Sequence, residues 1–138
     1  MDGSWSAIGS AFGTASGAAG NINLSDADSM AFDAFNSVNV LYGVHKRAGP
    51  DLLFQIDTTL GTFVTGAFGG DDYVVLQVIS GNNVTDDIAV DVTTGQMYAA
   101  VNNGGASDRL ILINKANGNA TDLSLITIVD VERLGSDP

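Results

Sequence analysis

Apolar residues along this chain come in short runs separated by clusters of Gly, Asn, Asp, Ser and Thr. The runs fall at 30–32, 40–44, 52–56, 62–65, 88–90, 97–101, 110–113 and 123–129. They are rich in Val, Ile, Leu, Phe and Tyr and are bounded by turn-forming residues, so they predict β-strands. No window carries the i, i+3, i+4 apolar stripe of an amphipathic helix. The pattern predicts an all-β, antiparallel fold rich in tight turns.

The turns share a spelling. Asp57, Asp91 and Asn114 each stand four residues before a glycine, at Gly61, Gly95 and Gly118. An Asp or Asn side chain at the first position accepts a bond from a backbone amide two residues on, and Gly at the last takes the positive φ that closes a hairpin loop.

Larger landmarks recur as well. Gly3-Ser-Trp-Ser-Ala-Ile-Gly9 is matched by Gly61-Thr-Phe-Val-Thr-Gly66 and by Gly118-Asn-Ala-Thr-Asp-Leu123. Met30-Ala-Phe-Asp33 and Ile88-Ala-Val-Asp91 lie 58 positions apart. Leu41-Tyr-Gly-Val44 and Met97-Tyr-Ala-Ala100 are 56 apart, and Leu53-Phe-Gln-Ile-Asp57 and Leu110-Ile-Leu-Ile-Asn114 are 57 apart. A further copy begins at Gly118, with Leu134-Gly-Ser-Asp137 in the place of Ile88-Ala-Val-Asp91.

The chain therefore holds about two and a half copies of a unit of about 57 residues with about four strands each, the signature of a radially repeated β architecture. Residues 1–29 carry an outer strand (4–8) and the connection of a preceding blade. Residues 30–87 are a first full copy, 88–127 a second, with an outer strand at 119–125, and 128–138 the start of another. A β-sandwich with repeated hairpins is the alternative architecture.

The pieces "DSMAFDAFNSVNVLYGV", "LLFQIDTTLGTFVTG" and "DDIAVDVTTGQMYAAV" resemble the blades of repeat-type β-propellers in secreted and cell-surface bacterial and archaeal proteins. A blade of that family reads D-I-x-x-L-A-F-D-P-x-T-G, then x-L-Y-A-V, then L-Y-x-I-D-x-x-T-G. The resemblance implies a β-propeller and names no substrate. The chain departs from it in two connections of about twenty residues, "SAFGTASGAAGNINLSDADS" and "AFGGDDYVVLQVISGNNVTDD", the second with an additional strand candidate at 73–79. Two full copies cannot enclose a channel, since closed propellers typically have at least about four blades. The expectation is a segment of a longer propeller, or several chains assembled.

Charge narrows the partners. Five Lys and Arg against 16 Asp and Glu give a net charge of -11, which repels phosphate backbones and anionic lipid surfaces. Nucleic acid partners and membrane insertion are excluded on this reading, and no apolar stretch has the length of a transmembrane helix. The N-terminus has no basic segment before its small-residue run and does not read as a signal peptide. Absence of cysteine removes disulfides, thiolate zinc sites and a Cys nucleophile.

His45 is the single histidine, so a Ser-His-Asp triad would have to be built on it. It follows the "LYGV" run and reads as a loop edge. No G-x-S-x-G, P-loop, H-E-x-x-H or dinucleotide fingerprint is present, and the chain is not expected to be an enzyme.

Acidic pairs carry the remaining chemistry: Asp26 and Asp28, Asp71 and Asp72, Asp86 and Asp87, Asp130 and Glu132, all in connections. Oxygen ligands converging from neighbouring loops suit Ca²⁺, which makes Asp28, Asp86, Asp87, Asp130 and Glu132 the candidate metal ligands. Asp also caps turns and solubilises a surface poor in lysine. Asn23, Asn83 and Asn119 open Asn-x-Ser/Thr triplets, which such a composition also produces by chance. The aromatics Trp5, Phe32, Tyr42, Phe54, Phe63 and Tyr98 are expected to fill space between blades.

These features describe a scaffold or protein-interaction module of an exported or cell-surface protein. A self-assembling filament, sheath or ring subunit joined through strand edges is the competing class. A carbohydrate-binding or enzymatic propeller is the third, and it would need a channel site completed by further blades.

Overall fold

The structure is a computed structural model that describes residues 3–4, 6–9, 11–78, 84–102 and 108–125. It is all-β. Strands β1 (Gly13–Gly17) and β2 (Gly20–Leu24) form a hairpin. Strands β3 (Ser29–Asp33), β4 (Val40–His45), β5 (Leu52–Asp57) and β6 (Thr62–Phe63) follow as an antiparallel meander, with β7 (Tyr73–Val75) also pairing β5. Strands β8 (Val84–Val90), β9 (Met97–Asn102), β10 (Arg109–Ile113) and β11 (Ala120–Leu125) make a second meander in the same order. None of the sheets closes into a barrel. No helix among the described residues is long and apolar enough to cross a membrane.

The three matching turns close as their spelling requires. The amides of Gly61, Gly95 and Gly118 donate to the carbonyls of Asp57, Asp91 and Asn114 at 2.7, 2.7 and 2.9 Å. The glycines sit at φ 68°, 71° and 74°, where a Cβ would be strained. The side chains of Asp57, Asp91 and Asn114 accept from the amides of Thr59, Thr93 and Ala116. At Asp91 the Thr93 hydroxyl and amide, followed by the Thr94 hydroxyl, hold the carboxyl down at about 2.

The two meanders stack by unlike faces. Pairing registers put Ala31, Tyr42, Val44 and Leu53 on one face of the first sheet, here its Tyr42 face. They put Ile88, Val90, Met97, Ala99, Ile111 and Ile113 on one face of the second, its Ile88 face. These residues form one continuous core, with β3 and β8 against each other. In the repeat register Ile88 corresponds to Met30, not to Ala31. The sheets thus meet head to tail, as successive units of a repeat do, and not through equivalent faces related by a twofold axis.

Both long connections make the same kind of contact with the sheet that follows. The 67–78 connection places Phe68 and Leu76 in the shared core, and the amide of Gln77 donates to the Gly118 carbonyl at 2.9 Å. The 11–28 connection places Phe12 and Leu24 over the other face of the first sheet, Phe12 standing edge-on to Phe54 with ring centroids 5.1 Å apart. Each outer hairpin glycine meets this packing directly. A Cβ on Gly118 would lie 2.2 Å from the Val75 carbonyl oxygen, and one on Gly61 would lie 1.9 Å from that of Ile8.

Several features of the fold differ from the sequence expectation. Residues 6–9 do not form an outer strand; this segment runs past Gly61 as irregular backbone. The first connection contains the β1–β2 hairpin, built from small residues that do not signal a strand. It folds because Ser16 and Gly17 fit against Asp72 and the Tyr73 ring: the Ser16 amide and hydroxyl donate to Asp72 Oδ2 at 2.7 and 3.1 Å, and a Cβ on Gly17 would meet that ring at 2.8 Å. Burial alone would raise the Asp72 carboxyl, but the donors from Ser16 and Gly66 outweigh it and hold it below the usual carboxylate range.

The third difference is Phe32, expected in the core. It is 50% exposed and its neighbour Met30 56%, whereas their counterparts Val90 and Ile88 are each 2% exposed. The cause is positional: the Tyr42 face of one sheet covers Ile88 and Val90, and no described sheet stands over Met30 and Phe32. Last, β7 covers only the start of the 73–79 strand candidate. Tyr42 packs between the two sheets, Phe54 and Phe63 pack on the other face of the first sheet under the 11–28 connection, Tyr98 is half-buried, and Trp5 lies outside the described residues.

Leu53→Ala is expected to cost about 2–5 kcal/mol, because it opens a cavity in the core the two sheets share. Met30→Ala should stay within about 0.5 kcal/mol at its exposed site. Urea unfolding of the two variants measures both values.

Candidate functional site

The first sheet's pairing dictates which polar side chains meet at one end of the molecule. Ser29 lies opposite Val44 in the β3–β4 ladder, so the residues just before β3 stand beside those that end β4. The Asp28 amide donates to the Val44 carbonyl at 2.8 Å, and the Lys46 amide donates to Asp28 Oδ2, also at 2.8 Å. That reciprocal pair pins the β2–β3 connection to the end of β4.

His45 is the last residue of β4. It is buried rather than standing at a loop edge, because β4 continues one residue further than the apolar run implies and pairs His45 with Leu52. Its Nδ1 lies 2.8 Å from Asp26 Oδ1. One ligand atom each from Asp26, Asp28 and His45 falls within 4.8 Å of the others. Both carboxylates are exposed while the imidazole is enclosed, so the trio opens to solvent on its acidic side.

Asp86 and Asp87 do not join this group. A bulge between Thr85 and Asp87 in β8 turns Asp86 out of the ladder, where its Oδ1 accepts from Lys46 Nζ at 3.1 Å. Asp87 Oδ1 accepts from Ser29 Oγ at 2.6 Å, and Ser29 Oγ in turn accepts from the Ile88 amide at 3.0 Å. Both carboxylates are thus occupied in tying the second sheet to the first. Asp130 and Glu132 lie outside the described residues. Of the triplet asparagines, Asn23 and Asn119 are exposed, and Asn83 lies outside the described residues.

Asp51 joins the sheets nearby and is buried. Its Oδ2 accepts from the Thr85 amide at 2.7 Å, and its carbonyl accepts from the Leu76 amide at 2.9 Å. Burial pushes the Asp51 carboxyl up, and the bonds from Thr85 and the Arg47 amide, with the Lys46 charge, only partly offset it. A carboxyl raised in the folded state contributes stability in acid, and this contribution is lost as pH rises through the raised value. At the opposite end of the first sheet, Asp33 accepts an ion pair from Lys115 of the β10–β11 hairpin. Burial, then the Asp33 charge, raises the Tyr42 hydroxyl.

The trio offers one nitrogen and two oxygens. That donor set suits Mn²⁺ or Zn²⁺ better than Ca²⁺, which takes six to eight oxygen ligands. Sequence reasoning placed Asp26 and Asp28 in one acidic pair but chose only Asp28 as a ligand, and it did not bring His45 beside them. The available signal was the β3–β4 register, which sets residues 26–28 beside 45–46.

Comparison with protein-family models, with curated proteins and with solved structures gives no match.

Melting curves with millimolar Mn²⁺, Zn²⁺ and Ca²⁺ test the donor set. A cation held by the trio raises the melting temperature by binding the folded state, more for Mn²⁺ or Zn²⁺ than for Ca²⁺, and His45→Ala removes the difference. A shift that survives both His45→Ala and Asp28→Asn places the ion elsewhere.

Proposed function

We propose that this chain is a non-enzymatic, β-propeller-like scaffold, serving as a protein-interaction module of an exported or cell-surface protein. The observation that supports the reading is the stacking of two equivalent four-stranded meanders by unlike faces, with their first strands adjacent. Repetition of that step builds a radial array whose loops and faces are free to vary while the core is kept. The net charge of -11 favours protein partners over nucleic acid or anionic lipid. His45 is enclosed at a strand end and bonded to Asp26, which fits a loop clamp better than a general base that must reach a substrate. A divalent cation at the trio, Ca²⁺ included, would reinforce that clamp. A self-assembling structural subunit is the second reading, favoured by the exposure of Met30 and Phe32.

Protease treatment of intact native cells tests the placement. The chain should be digested from outside while an internal marker protein stays whole. Survival of the chain until the cells are lysed would sink the exported-scaffold reading.

A further inference from the structure

The exposed pair Met30 and Phe32 has a counterpart inside the same molecule, and that counterpart is covered. Ile88 and Val90 hold the equivalent positions in β8, and what covers them is the Tyr42 face of the preceding sheet, with Ala31, Tyr42, Val44 and Leu53. The chain presents that type of face twice. In the repeat register Ala31, Tyr42, Leu53 and Gln55 correspond to Ala89, Tyr98, Leu110 and Leu112 of the second sheet, and the ladders set these four on the face of that sheet turned away from the shared core. Tyr42 and Leu53 are buried, but Tyr98, Leu110 and Leu112 are half-buried and Ala89 likewise; Ala100, opposite Leu110, is the buried member of that face.

We propose that the Tyr98 face of one copy of this chain docks on the Met30–Phe32 face of a second copy, repeating between molecules the step that joins the two sheets within one. The proposal rests on the radial-repeat reading given above and names the partner of its free face.

The receiving site is already shaped for this occupant. In the internal interface, the 67–78 connection packs Phe68 and Leu76 beside the covering sheet, and that sheet reaches the inner strand β8. Around Met30 and Phe32 the 11–28 connection supplies Phe12 and Leu24 in the same role, packed over Leu52, Phe54 and Ile56 of the same sheet. Among the described residues no sheet stands over the inner-strand part, and Met30 and Phe32 are exposed there. Leu112 stands where the internal template has Gln55 and Ala100 where it has Val44, so the Tyr98 face keeps an apolar centre that suits docking driven by burial.

The two docking faces are different surfaces of the chain, so the contact is heterologous: it closes into a ring or extends as a fibre. Repulsion between copies that each carry a charge of -11 opposes association and is screened by salt. Self-association should therefore strengthen as salt rises, the reverse of a contact built on ion pairs.

Sedimentation equilibrium on the purified chain, from micromolar to millimolar concentration and at low and high salt, tests the proposal. The mass should rise above the 14.1 kDa monomer with concentration and with salt. Phe32→Glu, at an exposed site, should melt as the wild type does at dilutions where the wild type is monomeric, and should remain monomeric at every concentration. Leu112→Glu alone should also be monomeric, and an equimolar mixture of the two variants should stop at a dimer, since each retains the face the other lacks. Should Leu112→Glu fail to fold, adding Phe32→Glu to wild type must cap the assemblies and lower their mean mass. A folded wild-type chain that stays at monomer mass throughout, or a Phe32→Glu chain that associates as wild type does, overturns the proposal. Either result leaves the cell-surface reading standing, because that is decided by digestion of intact cells.

Discussion

The fold depends on one buried contact, the packing of Tyr42 and Leu53 from the first sheet against Ile88, Val90, Met97 and Ile111 from the second. The 11–28 connection covers the other face of the first sheet, but the Tyr42 and Ile88 faces are removed from water by each other. The contact settles more than stability. Because it joins unlike faces of equivalent units, it leaves an unlike pair of faces at the two ends of the stack. The first sheet shows Met30 and Phe32, and the second shows Tyr98, Leu110 and Leu112.

The polar contacts follow from this stacking. Ser29 reaches Asp87, Lys46 reaches Asp86, and Asp51 receives the Thr85 amide, and each links the first sheet to the start of β8. Charged residues that looked like candidate ligands are thereby used to set the position of one sheet on the other. Among the described residues, Asp26, Asp28 and His45 form a group whose ligand atoms converge, gathered by the β3–β4 ladder and the end of β4.

Much of this was legible in the sequence because it is local or repeated. The apolar runs mark β3, β4, β5, β9 and β10 closely and the last three residues of β8, and the Asp-to-Gly and Asn-to-Gly spacings mark three turns that form as read. The β1–β2 hairpin was not legible, since Gly, Ala, Ser and Asn become a strand only where Tyr73 and Asp72 receive them. The same limit applies to His45, whose burial depends on one extra ladder pair with Leu52, and to Asp86, whose pairing with Lys46 depends on a bulge. Phe32 shows the reverse case: its spelling is that of a core residue, and its exposure is set by which neighbour covers its face.

The central claim is that the two sheets stack by unlike faces with β3 and β8 adjacent. It is tested most directly by placing cysteines at Ser29→Cys and Asp87→Cys, in a chain with no other cysteine, and treating the dilute folded protein with a short bifunctional thiol reagent. The account predicts an efficient crosslink within one molecule, because the native side chains are in contact. A folded protein in which this pair remains unlinked would contradict it.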